Sequence, residues 1–279
     1  MATSLLIKGH GFQEGYAPIA SPQSMPLLRW MTVGRLGVVS GRPYSAHTGT
    51  HESVIDVLSG AVTLEVAGKR ELSLGNRSDP FSLGPTFICL PPQTSYSITS
   101  VTPTADLLVV EAPADPGETV TIVQPEDAPA RAVGAANWAR QVWPGTATAP
   151  GTKRLMVGET INPPGGWSSY PPHKHDEEKP PTEAIYEEVY FFLFKPRGGF
   201  GLQRIYERRE ADDAINDTYA VEDGDTIIIP RGYHPVVAAP GYQMAYVWAL
   251  CGTGHTYGAW SDDPAFAWVR DVEAILASR

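Results

Sequence analysis

The sequence predicts an all-β protein built as two tandem barrels with a short C-terminal helix, and three observations lead there. The 279 residues include 27 Gly and 26 Pro, so turns are frequent and long helices are disfavoured. The apolar segments are short and rich in β-branched and aromatic residues, as compact antiparallel strands require. One order of segments also occurs twice: a strand carrying a glutamate, a Gly-rich turn, another strand, and a strand ending at Pro.

In the first half that order runs HESVIDVLSGAVTLEVAG at 51–68, GPTFICLPPQTSYSI at 84–98 and ADLLVVEAP at 105–113. In the second it runs EEVYFFLFKPRGGFGLQRIY at 187–206, DGDTIIIPRGYHPVVAAPGY at 223–242 and QMAYVWALCG at 243–252. Between them the stretch to Gly151 is rich in Pro, Ala and Gly and lacks sustained alternation, which reads as a linker with a short helix. The expected division is therefore 1–113, linker 114–151, and 152–279. The closing helix begins at Asp263-Pro264 and puts Phe266, Val269, Val272, Ala274 and Ile275 near one face.

Composition narrows the function. A formal net charge of −10 without a Lys/Arg-rich run repels nucleic-acid phosphates and anionic membrane surfaces, leaving a small ligand as the expected partner. No signal-peptide core and no run of about 18 apolar residues occurs, so the protein is expected to be cytoplasmic, without a membrane partner. Cys89 and Cys251 sit in apolar strand segments and read as buried small hydrophobes rather than a disulfide.

The chemistry-bearing residues lie in the second half. His173 and His175 are two apart, a spacing that turns both imidazoles to one side of a strand. Glu187-Glu188 opens the hydrophobic VYFFLF strand, where a carboxylate needs a cation and only one of the pair can face the barrel interior. His234 follows a Pro-x-Gly turn at the start of another strand. Three imidazoles and one carboxylate make a plausible site for a divalent ion with room for water or substrate.

These motifs resemble those of the cupin superfamily, jelly-roll-like barrels whose metal ligands come from an HxH, a glutamate and a histidine after a Pro-x-Gly turn. Carried over, the ligands fall on His173, His175, Glu188 and His234, with Glu187 as the alternative to Glu188 because the insertion DEEKPPTEAIYE separates it from the histidines. Over nearly the whole chain the sequence is similar to the 5-deoxy-glucuronate isomerase family of inositol catabolism, a bicupin group, through WSSYPPHKHD at 167–176, EEVYFF at 187–192, GFGLQRIY at 199–206, the long segment 218–246, DDPAFAWV at 262–269, Asn137-Trp138 and residues 78–92.

The resemblance implies a metal-dependent aldose–ketose isomerase acting on a sugar acid, with one divalent ion, zinc or manganese ahead of iron or nickel, in a homo-oligomer. Such a reaction needs a Lewis acid and a proton-shuttling group, for which Glu187, Tyr190 and Tyr246 are candidates, and Arg204 shares a strand face with Tyr206. The chain departs from the family pattern at Trp248, where asparagine is common, and at 251–260, where the family usually carries an arginine. If that arginine binds the substrate carboxylate, His255 or Arg204 must take its place. A cupin dioxygenase using iron and a non-catalytic sugar-acid-binding bicupin are the competing readings. No HxH occurs in the first half, so its His47, His51 and Glu52 are not expected to bind a second ion, and His10, His47 and His51 read as solvated loop residues.

Overall fold

The computed structural model describes residues 4–117 and 119–277. Two barrels are present, each built on one large antiparallel sheet. In the first the order is Thr121–Val123, Phe87–Leu90, His51–Val66, Thr104–Pro113, Thr32–Val39 and Gly15–Ala20. The second repeats it with Leu6–Ile7, Thr226–Ile229, Tyr186–Lys195, Gln243–Gly252, Leu155–Asn162 and Arg140–Trp143, extended by Arg131–Val133.

The two large sheets pack face to face, so their strands are covered on both sides and read as unbroken apolar runs. Alternation then sorts the side chains. Val189, Phe191, Val247 and Ala249 join Val54, Leu58 and Val110 in a central core between the barrels. Tyr190, Phe192, Tyr246 and Trp248 fill the second barrel's interior, and Ile55, Val57 and Leu107 fill the first.

The segment 114–151, expected as a linker, is instead shared between the sheets. Thr121–Val123 pairs with the first barrel, whereas Arg131–Val133 and Arg140–Trp143 pair into the second. Its short helix is two 3-10 turns, Ala136–Trp138 and Gly145–Ala147. Leu6–Ile7 crosses to the second barrel to pair with Thr226–Ile229. Edges that each barrel would expose are thus covered by chain from before or after it.

The terminal helix spans Val269–Ala277, later than the expected start at Asp263. The Asp263 carboxylate is taken instead by Tyr206 Oη at 2.5 Å, Arg208 Nε at 2.6 Å and the Ala265 amide at 3.0 Å, which holds the chain in a turn before the helix. Val269 is buried, while Ala274 and Ile275 face outward. Both cysteines are free and buried. Among the described residues no helix is long and apolar enough to cross a membrane.

Candidate metal centre and active site

The strand Tyr186–Lys195 lies between Thr226–Ile229 and Gln243–Gly252, which fixes which of its two glutamates looks into the barrel. Glu188 shares the parity of Tyr190 and Phe192 and points inward, its Oε2 lying 3.1 Å from His175 Nε2 and 3.2 Å from His234 Nε2. Glu187 shares the parity of Val189 and points into the core between the barrels. There its carboxylate accepts hydrogen bonds from the amides of Arg29, Trp30 and Met31 at 2.5, 3.0 and 2.6 Å. It is therefore neither near the imidazoles nor open to a substrate, which removes it as a candidate base and as an alternative ligand. An analogous contact runs the other way: Glu52 of the first barrel accepts from the amides of Lys153, Arg154 and Leu155.

One ligand atom from each of His173, His175 and His234 falls within 4.8 Å of the others. His173 lies on the short strand His173–Lys174, paired with Ser261–Asp262, and its ring stacks on Trp260 at 5.1 Å. Lys174 points away, as alternation requires, to Asp176 and Glu183 at 2.5 and 2.8 Å. Glu183 also binds the amides of Asp176 and Glu177, so the inserted loop after the histidines is closed by its own polar contacts. His234 follows Gly232, whose φ of +89° suits glycine and whose amide donates to Asp176 Oδ2 at 2.7 Å.

The tautomers follow from the outer contacts. His175 Nδ1 lies 2.9 Å from the Tyr186 carbonyl and His234 Nδ1 2.9 Å from the Gly232 carbonyl, so each Nδ1–H donates outward and each Nε2 lone pair faces Glu188. Lone pairs facing a carboxylate in a buried site need a cation between them. His234 Nε2 is buried without a hydrogen-bond partner, which is the position a metal ligand should show. The residues thus fit a metal cofactor held by three imidazoles and one carboxylate. Burial raises the Glu188 carboxyl, and positive charge on its imidazole side lowers it; with both Nε2 atoms unprotonated, that charge is what a bound cation would supply. Burial and the neighbouring imidazoles push His173 well down, keeping it neutral and ready to ligate.

A cavity of about 220 Å³ opens onto His173, His175 and Glu188, with His234 buried behind them. Tyr190 and Tyr246 form one wall with ring centroids 4.5 Å apart. Their hydroxyls meet Ser169 Oγ at 2.8 Å and Ser168 Oγ at 2.5 Å, so both serines of the WSSYPP segment touch the site. Ser169 holds a φ of +49°, a conformation uncommon outside glycine, at the point where the segment turns its hydroxyl inward. Burial raises both phenols, Tyr190 well above its ordinary value, and both hold their protons at neutral pH.

The departures from the family pattern line the same cavity. Trp248 stacks on Tyr257 at 5.6 Å, and Tyr257 meets Trp260 edge-on at 5.3 Å. Trp248 fits because its strand partner is Gly158, where a Cβ would stand 2.2 Å from the indole. Arg204 does not reach the cavity. It and Tyr206 share a face as expected, but that face is the outer one. The Arg204 guanidinium is exposed, lies 4.1 Å over the Tyr206 ring and bonds Asn216. His255 is tied to Thr152 Oγ1 at 3.2 Å, and it is not among the cavity-lining residues. The cations at the cavity are Arg131 and Arg140, which sequence reasoning missed because both lie in the stretch read as a linker. Asn137-Trp138, already matched to the family pattern, stood two residues from Arg140 as the one available signal.

The chain is similar to known proteins along most of its length. A 5-deoxy-glucuronate isomerase of Geobacillus kaustophilus is 31% identical over 279 residues, covering 99% of this chain and 98% of that protein. Another, from Geobacillus thermodenitrificans, is 30% identical over 270 residues, 96% of this chain and 95% of that one. The crystal structure of an IolB-like protein from Salmonella typhimurium LT2 superposes with a TM-score of 0.87 at 25% identity, over 96% of this chain and all of the other. A Bacillus subtilis oxalate decarboxylase variant shares the fold, with a TM-score of 0.65 at 11% identity, over 100% of this chain and 88% of that one. The model of the KduI/IolB family matches residues 5–269, and with a relative this similar along its whole length the chain belongs to that family.

Proposed function

We propose that the chain is a metal-dependent aldose–ketose isomerase that converts 5-deoxy-glucuronate to 5-dehydro-2-deoxy-gluconate in myo-inositol catabolism. The observation that carries this reading is the meeting, in one cavity, of an acceptor-only ligand set and two protonated phenols. The full-length relatives that bear the isomerase name support it. Zinc or manganese suits the donors first, then iron or nickel.

When bound, the ion supplies a Lewis acid for the negative charge that develops as the C2 proton leaves. His173, His175, Glu188 and His234 are the residues that would hold it. Tyr190 and Tyr246 begin protonated, each oriented by a serine hydroxyl. A phenol gives its proton to the C1 oxygen and as phenolate takes the C2 proton, forming the enediol, then returns that proton to C1 while recovering one from the C2 hydroxyl. Trp248, Tyr257 and Trp260 exclude water from the open side, which limits loss of the migrating proton to solvent.

The purified protein, incubated with the 5-deoxy-uronate in deuterated water, should yield the ketose by NMR, with deuterium at C1 only in part because the migrating proton is shielded. Binding of the uronate without ketose or exchange would refute the isomerase assignment. Tyr190→Phe and Tyr246→Phe should each lower kcat by about 10²–10⁴-fold with KM little changed, as loss of a proton-transfer group does. Unchanged kcat in both variants would remove the tyrosines from the chemistry.

A further inference from the structure

The cavity contains a cation that the metal ligands and the phenols leave unused. Arg140 opens the strand Arg140–Trp143. Its Nη1 donates to the carbonyls of Trp138 and Tyr170 at 3.1 and 3.5 Å, and its Nε is buried with no partner. Among the described residues no carboxylate forms an ion pair with it. The chain matches other enclosed arginines: Arg77 lies between Asp56 and Glu159, and Arg35 is paired with Asp106. Arg270, which also acts on the site, is held by Asp262.

The surroundings of Arg140 are apolar and regular. In the ribbon formed by Arg131–Val133 and Arg140–Trp143, Arg131 pairs with Val142 and Val133 with Arg140, and all four side chains line the cavity. The facet thus alternates cation and valine, with Arg131 at the exposed rim and Arg140 within. Burial pulls the Arg140 guanidinium down from its ordinary value, and the more distant charge of Glu273 does not offset it. Arg140 lines the same cavity as His173, Tyr190 and Tyr246, so it shares the space of the ligands and phenols. A half-buried guanidinium whose Nε is enclosed without an acceptor is costly unless an anion completes it, and its planar fork suits a carboxylate.

We infer that Arg140 binds the carboxylate of the sugar acid, holding the end of the molecule remote from the reacting carbons, with Arg131 reinforcing it from the rim. The identity of the acid rests on the isomerase reading, but the claim that this subsite takes a carboxylate does not. Arg140 would accordingly be a specificity-determining residue, distinguishing a sugar acid from a neutral sugar.

Titration calorimetry with D-gluconate, a sugar acid that cannot isomerise, and with neutral sorbitol tests this on the wild type, Arg140→Gln and Arg140→Lys. The wild type should favour gluconate. Arg140→Gln should weaken gluconate by roughly 30-fold or more while leaving sorbitol unchanged, and Arg140→Lys should recover part of the loss. Metal content should be unaltered in both, and with the uronate the KM of Arg140→Gln should rise more than its kcat falls. A second measurement needs no variant: gluconate, but not sorbitol, should protect Arg140 of the wild type from phenylglyoxal, read by peptide mass spectrometry. A wild type indifferent between gluconate and sorbitol, a metal-loaded Arg140→Gln that binds gluconate within about twofold of wild type, or equal modification with either ligand would overturn the assignment. Gluconate binding that depends on Arg140 in a protein forming no ketose would sink the isomerase reading alone.

Discussion

Glu188→Gln protein is expected to purify without its metal and without isomerase activity, whereas Glu187→Gln protein should keep the metal and lose stability. The neighbours differ because a strand turns successive side chains to opposite faces, and this strand is buried on both. Glu188 Oε2 stands 3.1 and 3.2 Å from two imidazole Nε2 atoms, and a neutral amide there removes the negative charge that offsets the cation. Changing a partner one step outside the ligands already costs about 10–100-fold in metal affinity, so loss of a ligand should exceed that. Glu187 instead accepts three amide hydrogen bonds from residues 29–31. Its replacement by glutamine sets an NH₂ donor against one of those amides, at a cost of about 1–3 kcal/mol. Metal analysis and thermal melts on the two proteins decide the matter. Metal lost equally from both, or retained in Glu188→Gln, would contradict the geometry.

Much of this was legible in the residues, and the exceptions have physical causes. The two barrels could be read because their strands are long enough to show composition and carry turn residues between them. The three histidines could be read because HxH and Pro-x-Gly-x-His constrain spacing within a strand or turn. Alternation correctly separated Glu187 from Glu188 and joined Arg204 to Tyr206. It cannot say which face is inward, and on the strand Phe200–Tyr206 the inward residues are Gln203 and Ile205, leaving Arg204 in solvent. The expectation that only one of the glutamates faces the barrel interior held, but the other face meets a second core rather than water. Arg131 and Arg140 were hidden because strands of three and four residues show no periodicity, and their pairing across the Pro- and Gly-rich stretch is a tertiary fact. Trp248, Tyr257 and Trp260 marked a departure in sequence, but only the fold shows that the departures meet on one wall.

The union of the barrels carries the other large expected effect. Arg77 lies fully enclosed between the two large sheets, with Nη2 at 2.5 Å from Glu159 Oε1 of the second barrel and 3.1 Å from Asp56 Oδ1 of the first. Its Nε also donates to the Val57 carbonyl at 2.6 Å. Arg77→Met fills much of the volume but leaves two carboxylates facing each other in the central core, a loss of about 3–5 kcal/mol by analogy with other broken buried pairs. At about 2–4 °C for each kcal/mol, the melting temperature should fall by roughly 10 °C. The deficit should depend on pH. Burial, and then Glu159, raise the Asp56 carboxyl well above its ordinary value even with Arg77 opposing them, so without Arg77 it should rise further. A group whose pKa is higher folded than unfolded stabilises the fold below its unfolded value and loses that contribution as pH rises through the folded one. The stability difference between wild type and Arg77→Met should therefore be smaller near about pH 5 than near about pH 8, with any contribution from bound metal largely cancelling in the comparison. Denaturant titrations of both proteins at the two pH values measure it. A difference that is constant with pH, or larger on the acid side, would mean that the carboxylates are relieved by some partner other than Arg77.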